Sequence, residues 1–175
     1  KCFQKKKKNK GLIDETIQSK EIYAKVLADN ESPYLKSIIL NKGSKDNVKM
    51  GMAILDGSYL VGKIIEVNFT NSRALLLSDL NSKIPVLLEP HDMQAVLSGT
   101  GQNYGIIEYT KEEYRDAMKG TVIVYTSGQG GLFKPGLPVG KLIDENDNKS
   151  LINFFSDFKQ LDYVKIVSYE IGGIN

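Results

Sequence analysis

Two stretches of the chain repeat one another, and this repeat limits the folds that the chain can adopt. The first copy runs from Lys49 to Ile65 and the second from Met118 to Ile143. Each copy has a glycine turn, an apolar run of strand length, a loop, and the tripeptide Val-Gly-Lys before a second apolar run. Because short apolar runs between turn formers are typical of buried strands, the repeat predicts a β protein with two related units.

Further short apolar runs raise the number of predicted strands to eleven or twelve. A single small barrel is filled by about eight strands, so two barrels of about six strands each fit the count better. We therefore predict a mainly β fold with two small six-stranded β-barrels after an N-terminal helical segment. Residues 1–19 are predicted to be the helical end of a coiled coil, 20–62 plus 139–170 the first barrel, and 63–138 the second.

Two shorter segments receive separate predictions. Thr110 and Glu113 have the spacing of a capping box, which predicts a short helix that ends at Gly120. The run from Leu151 to Asp157 is predicted to be a bulged strand or a turn of helix.

The basic residues are unevenly distributed. Six lysines lie within the first ten residues, which leaves the remainder with 17 basic and 21 acidic residues. Such an arm can contact nucleic acid or anionic lipid. Because no aromatic ladder or basic stripe accompanies it, we favour a solvated arm and predict no nucleic-acid partner. Nucleic-acid binding through Lys1 to Lys10 remains an alternative hypothesis.

The chain offers few residues for catalysis or metal binding. Cys2 is the only cysteine and His91 the only histidine, so neither an internal disulfide nor a cysteine-based zinc site can form. A hydrolase of the double-barrel serine-protease type would need His91 close to Ser98 or Ser127. We favour a surface histidine, because Glu89-Pro90-His91-Asp92 is typical of a turn. No catalytic residue, cofactor or metal site is predicted, and the hydrolase is kept as the alternative.

Two other motifs have simpler interpretations than a ligand site. Gly99 to Gly105 is rich in glycine, but the apolar run that follows is typical of a strand, whereas a phosphate cradle requires a helix N-terminus. The segment is therefore predicted to be a hairpin. The carboxylates of Glu112–Glu113 and Asp144–Asp147 are predicted to lie on the solvated surface.

The loop from Ser127 to Gly136 is the strongest candidate for a binding surface. It carries a large apolar pair between glycines and a Pro-Gly turn. The partner-binding residues that we predict are Leu132, Phe133, Lys134 and Pro135. Phe133 either folds back to plug or seal the barrels, or serves as an aromatic anchor for a partner, as exposed aromatic groups do at interfaces.

Several ordered motifs resemble a known family, the rod shape-determining protein MreC. They cover about residues 20 to 170 and are, in chain order, Asn41 to Met52, Leu60 to Lys63, Leu75 to Val86, Ser98 to Gly101, and Thr126 to Lys141. Asn47 stands where glycine is usual in the family, and Lys134-Pro135 reverses the common order. The first departure is expected to affect a turn.

The resemblance implies a function that no single residue pattern supplies. It implies a non-enzymatic periplasmic scaffold of the cell-elongation (rod) complex, which organises lateral peptidoglycan synthesis and cell shape. The implied partners are MreD, MreB, RodA and the elongation-specific penicillin-binding transpeptidase. It also implies self-association into dimers or filaments, and a single N-terminal inner-membrane span that is expected to precede Lys1.

Overall fold

The computed structural model describes residues 17–32, 34–108, 120–146 and 149–171, and within them it contains twelve strands. In chain order they are β1 (Ile17–Ser32), β2 (Leu35–Leu40), β3 (Ala53–Asp56), β4 (Tyr59–Val67), β5 (Ser72–Leu76), β6 (Lys83–Glu89), β7 (Met93–Gly99), β8 (Tyr104–Glu108), β9 (Ile123–Thr126), β10 (Pro138–Asn146), β11 (Lys149–Phe154) and β12 (Tyr163–Ile171). Leu151 to Asp157 is thus mostly strand β11, and a short 3-10 turn follows at Phe158–Gln160.

The strands form two closed antiparallel barrels of six strands each, as predicted. The first barrel has the strand order β1-β12-β3-β4-β5-β2, and the second has the order β10-β11-β8-β7-β6-β9. The chain leaves the first barrel after β5 and returns to it as β12. The second barrel is therefore inserted into the first.

The predicted boundaries between the barrels need correction. Residues 63–76 belong to the first barrel, since β4 and β5 lie there, and residues 139–146 and 149–154 belong to the second, since they lie in β10 and β11. The prediction cut each unit at its Val-Gly-Lys tripeptide. In the structure each repeat copy stays within one barrel, because β4 pairs with β3 and β10 pairs with β9, their neighbours along the chain.

The repeat marks equivalent positions where strands approach closely. Gly62 lies in β4 and Gly140 in β10. A Cβ atom on Gly62 would collide with the carbonyl oxygen of Leu75, and one on Gly140 with that of Asn153. The glycines therefore allow β5 and β11 to pack against the repeat strands, which a side chain would prevent.

The turn at Asn47 adopts the conformation for which the family uses glycine. Asn47 follows a 3-10 turn at Ser44–Asp46 and has a φ of 65°. Asparagine tolerates this left-handed region better than most side chains. The departure from glycine thus preserves the turn.

The two barrels share a core. Ile54 on β3 faces the interior of the first barrel, whereas its neighbours Ala53 and Leu55 pack in the cluster that fills the second. β3 is apolar on both faces for this reason. Tyr59 and Phe155 add an aromatic contact between β4 and the segment after β11, with ring centroids 5.0 Å apart.

A buried carboxylate fixes the connection from the first barrel to the second. Asp79 lies between β5 and β6 and is almost inaccessible to solvent. Its carboxylate oxygens accept hydrogen bonds of 2.7 Å from the backbone N–H groups of Lys36 on β2 and Asn81. Both oxygens of a buried charge are thus hydrogen-bonded, as burial requires.

The predicted helices fall mainly outside the described residues. Residues 1–16 of the N-terminal helical segment and residues 109–119, which include the predicted capped helix, are not described. The prediction was wrong for residues 17–19, which open β1 and pair with the end of β12. No helix in the described part of the chain is long and apolar enough to cross a membrane.

β1 is longer than a barrel strand needs to be. Its residues 17–25 pair with β12 and its residues 26–32 pair with β2, with a register shift between Val26 and Ala28. Within the described chain, the first half of β1 therefore has a strand neighbour on one edge only. The first half of β1 thus has an open strand edge next to the closed barrel.

A cleft between the barrels as candidate functional site

The loop from Ser127 to Gly136 is held in one conformation by Thr126. The Thr126 hydroxyl donates a 2.6 Å hydrogen bond to the carbonyl oxygen of Lys134 and accepts one of 2.9 Å from the Leu137 N–H. Backbone bonds of 2.8 and 2.9 Å also join Thr126 to Gly136 and Leu137. The two ends of the loop are thus tied together, so the residues at its tip project from a fixed base.

Phe133 packs inside the molecule. Its side chain is 5% exposed and belongs to the core cluster, which also contains Ala53 and Val167 of the first barrel. Of the two interpretations of Phe133, the structure matches the one in which it folds back to seal the barrels. Its ring is not available to a partner, whereas the adjacent Leu132 is 45% exposed.

The four predicted partner-binding residues line a cleft between the two barrels. The cleft has a volume of about 400 Å³, and its opposite wall is the segment Lys49 to Ala53. Met50 in that wall is 70% exposed. Met50 was not among the predicted residues, although an apolar residue directly before the turn glycine Gly51 was a signal for it. The role of Leu132, Phe133, Lys134 and Pro135 in partner binding stays a prediction.

The cleft is basic. Lys49 and Lys134 lie along it, and no carboxylate is present among the described residues that line it. The Lys134 ammonium lies 5.9 Å from the ring centroid of Tyr169, within the range of a cation–π contact. The pKa of Tyr169 is raised by burial and by the charge of Glu21, so its ring stays neutral beside the lysine. The cleft therefore combines apolar surface with positive charge.

The structure separates the residues of the alternative hydrolase hypothesis. His91 is exposed in the turn between β6 and β7, whereas Ser98 lies five residues beyond Met93 on β7, about 17 Å further at the usual rise of a strand. The Ser127 N–H binds the carbonyl of Pro85, at the other end of β6 from that turn. Neither serine can reach His91 with a hydrogen bond.

The remaining motifs do not form a ligand site in the described chain. Gly99 to Gly105 joins β7 to β8, and the Thr100 hydroxyl donates a 2.6 Å hydrogen bond to the Tyr104 carbonyl across this hairpin, as predicted. Among the described residues, no three His, Cys, Asp or Glu side chains lie together as metal ligands would. Glu112, Glu113 and the lysine arm lie outside those residues.

Fold and cleft together define a class of protein, a tandem β-barrel protein whose barrels share a core and border a preformed basic cleft. Residues 26–168 match the family model described as "Rod shape-determining protein MreC, barrel core". The chain belongs to the MreC family.

Individual relatives agree with this assignment. The cell shape-determining protein MreC of Cereibacter sphaeroides is 34% identical over 151 residues, which are 86% of this chain and 50% of the relative. The chain thus spans about half the length of that relative. The crystal structure of MreC from Pseudomonas aeruginosa superposes with a TM-score of 0.76 at 25% identity and covers 85% of this chain and 99% of its own.

A second solved structure shares the fold at lower identity. It is a complex between the penicillin-binding protein PBP2 and MreC from Helicobacter pylori, whose similarity to this chain has a TM-score of 0.63 at 13% identity. The match covers 86% of this chain and 99% of that chain. At 13% identity, this similarity shows that the two proteins share the two-barrel fold.

Proposed function

We propose that this chain is the periplasmic part of a non-enzymatic scaffold in the cell-elongation complex. It organises lateral peptidoglycan synthesis and cell shape through protein–protein contacts and self-association. The observation that carries the proposal is the preformed cleft between the barrels, in which fixed loop residues present apolar and positively charged groups. Membership in a family of cell shape-determining proteins supports the same conclusion.

The elongation-specific penicillin-binding transpeptidase is the partner that we assign to this cleft. The complex of H. pylori MreC with PBP2 supports a transpeptidase as partner. In this chain Leu132 and Lys134 make the contacts, Pro135 shapes the cleft wall, and Phe133 holds the loop from inside. Because hydrogen bonds already hold the ends of the loop together, binding through the exposed Leu132 requires little further ordering of the loop, which favours affinity.

Self-association uses a different part of the molecule. The first half of β1 has an open edge in the described chain, and an open edge can pair with a strand of another copy. Dimers or filaments are also expected to form through the coiled coil that the family resemblance implies. RodA, MreD and the cytoplasmic MreB are further partners of the whole protein, which an N-terminal span anchors in the inner membrane.

A binding experiment tests the proposed cleft. The periplasmic part of the transpeptidase is immobilised, and binding of the chain is measured by biolayer interferometry. Leu132→Ser is expected to weaken binding about 3- to 10-fold, because complete burial of a leucine side chain contributes about 1.5–3 kcal/mol and Leu132 is 45% exposed before binding. Lys134→Glu is expected to weaken binding as well, with a larger effect at low salt.

Leu80→Ser is the matched control, since Leu80 is 53% exposed and does not line the cleft. It is expected to bind as the unchanged chain does. Equal binding by the Leu132 and Leu80 variants would refute the assignment of the cleft. Binding of the transpeptidase that survives both cleft substitutions would place its contact elsewhere on the barrels.

A further inference from the structure

The outer surface of the second barrel carries an apolar row where a barrel in water usually carries polar residues. Along β6, Val86 and Leu88 face the barrel interior, and Leu87 between them faces outward. On the neighbouring β9, Ile123 and Tyr125 face outward, and Val124 between them is buried in the barrel interior. Antiparallel strands with one solvated face normally alternate apolar and polar residues. Three outward apolar side chains on two adjacent strands therefore need an explanation.

Strand register places these side chains together as the floor of a second cleft. Leu87 pairs with Tyr125, and Glu89 pairs with Ile123. The cleft above them has a volume of about 750 Å³. All three apolar side chains are half-buried, so each keeps part of its surface available. We refer to this feature as the outer cleft.

The walls of the outer cleft are preformed. Pro90 and Thr121 border one end, and Pro135 and Gly136 border the other. Pro135 also lines the cleft between the barrels, so one loop separates the two clefts. Thr126 fixes that loop through its hydroxyl, as described above. A rigid apolar depression lowers the entropic cost of binding an extended segment.

The charge of the outer cleft is opposite to that of the cleft between the barrels. Glu89 is the charged residue among those that line it. The pKa of the Glu89 carboxyl lies above its usual range, because it shares a hydrogen bond with the Asp92 carboxyl, with desolvation and the charge of Asp92 acting in the same direction. A cation placed beside the two carboxyl groups would offset their mutual repulsion. His91 is exposed in the same turn and is the only basic side chain within it.

We propose that the outer cleft binds a segment of a second protein partner in which apolar side chains stand next to a lysine or arginine. The apolar side chains pack on Leu87, Ile123 and Tyr125, and the cation is received by Glu89 and Asp92. This site goes beyond the scaffold function proposed above, since it does not depend on which partner occupies the basic cleft. The two clefts select partners of opposite charge, and charge complementarity of this kind suppresses the wrong partner.

The proposal is tested in living cells with the full-length protein. The photoreactive residue p-benzoylphenylalanine replaces Tyr125, whose ring it resembles, and Leu80 in a separate strain. After irradiation, the cross-linked peptides are sequenced by mass spectrometry. The expected product at position 125 is a segment of another protein with a lysine or arginine within about three residues of the cross-linked apolar residue. Position 80 is expected not to give this product.

A charge reversal tests the role of the carboxylates. Glu89→Lys is introduced into the Tyr125 probe strain and is expected to lower the yield of the cross-link at least fivefold. Asp162→Lys, which reverses an exposed charge on the first barrel, is the matched control and is expected to leave the yield within twofold. Thermal unfolding of each purified variant establishes that the fold is retained, and Glu89→Gln replaces Glu89→Lys if the latter does not fold.

Four outcomes would overturn the proposal. Two of them are cross-links of the wrong kind, either to an acidic segment or to another copy of this chain, including the lysine arm of that copy. The other two are the absence of any cross-link at position 125 and a cross-link yield that Glu89→Lys, or Glu89→Gln in its place, leaves unchanged. Loss of transpeptidase binding in the Leu132 variant, with the Tyr125 cross-link intact, would support two independent sites. The proposal for the outer cleft and the proposal for the cleft between the barrels can therefore each be refuted independently of the other.

Discussion

Truncation of Phe133 should destabilise the whole molecule rather than only its loop. Phe133 is 5% exposed and packs with residues of both barrels, including Ala53 and Val167. Replacing a buried phenylalanine by alanine removes apolar contacts and leaves a cavity that the surroundings fill only partly. We expect Phe133→Ala to lower the free energy of unfolding by about 3–5 kcal/mol.

The size of this effect can be converted into a melting temperature. For a domain of about 150 residues, each kcal/mol corresponds to roughly 2–4 °C, so the midpoint should fall by about 6–20 °C. Because one core cluster contains residues of both barrels, the unchanged chain should unfold in a single transition. Differential scanning calorimetry and urea denaturation followed by circular dichroism measure both quantities.

Leu132→Ala provides the control for this prediction. Leu132 is adjacent in the chain, but its side chain is 45% exposed, so its truncation should cost less than about 1 kcal/mol. The reasoning would be refuted if the two variants had the same midpoint. It would also be refuted if Phe133→Ala lost less than about 1 kcal/mol, since Phe133 would then contribute little to the shared core.

Three single contacts give further predictions. Asp79→Ala should lower the free energy of unfolding by about 3 kcal/mol in urea denaturation, because it removes the buried carboxylate that accepts hydrogen bonds from the backbone N–H groups of Lys36 and Asn81. Gly140→Ala should cost about 1–3 kcal/mol in the same assay, since its Cβ would displace β11. Glu89→Gln should raise the melting temperature at pH 7, where the raised pKa of Glu89 means that its ionised form is disfavoured, and the gain should vanish below about pH 4, where Glu89 is protonated in both folded and unfolded chains.

The local pattern was sufficient to predict the strands and their number. Short apolar runs between glycine, proline and polar turns correspond to the twelve observed strands, and Gly62 and Gly140 were recognised as equivalent positions in the two copies. This success has a physical basis, because strand length, turn chemistry and the need for glycine at close approaches are properties of neighbouring residues. The count of strands then sufficed to favour two barrels over one.

The partners of each strand could not be predicted in the same way. Residues 139–154 were assigned to the first barrel, although β10 pairs with β9 and β11 within the second. Apolar periodicity indicates that a strand is buried, but it does not indicate which other strand pairs with it. The pairing of β1 with β12, which closes the first barrel, joins opposite ends of the chain. A residue pattern read over a few positions cannot establish such a contact.

For the candidate site, too, local features could be predicted from the sequence and long-range contacts could not. The glycines and the apolar pair identified the loop, but they could not decide whether Phe133 points inward or outward. That choice depends on Ala53 and Val167, which belong to distant parts of the sequence. The outer cleft was missed for a related reason. Leu87, Ile123 and Tyr125 look like ordinary strand residues until the register shows that all three face away from the barrel interior.

The loop between the clefts links stability to recognition. Phe133 and the Thr126 hydroxyl fix the loop, Leu132 projects from it into the cleft between the barrels, and Pro135 lines both clefts. A change that loosens this fixed base should therefore weaken binding at both clefts together. A change at Leu132 alone should affect the basic cleft only, because the packing that positions Pro135 is unaltered. If both kinds of change had the same effect on the two partners, the clefts would act as one site and not as two.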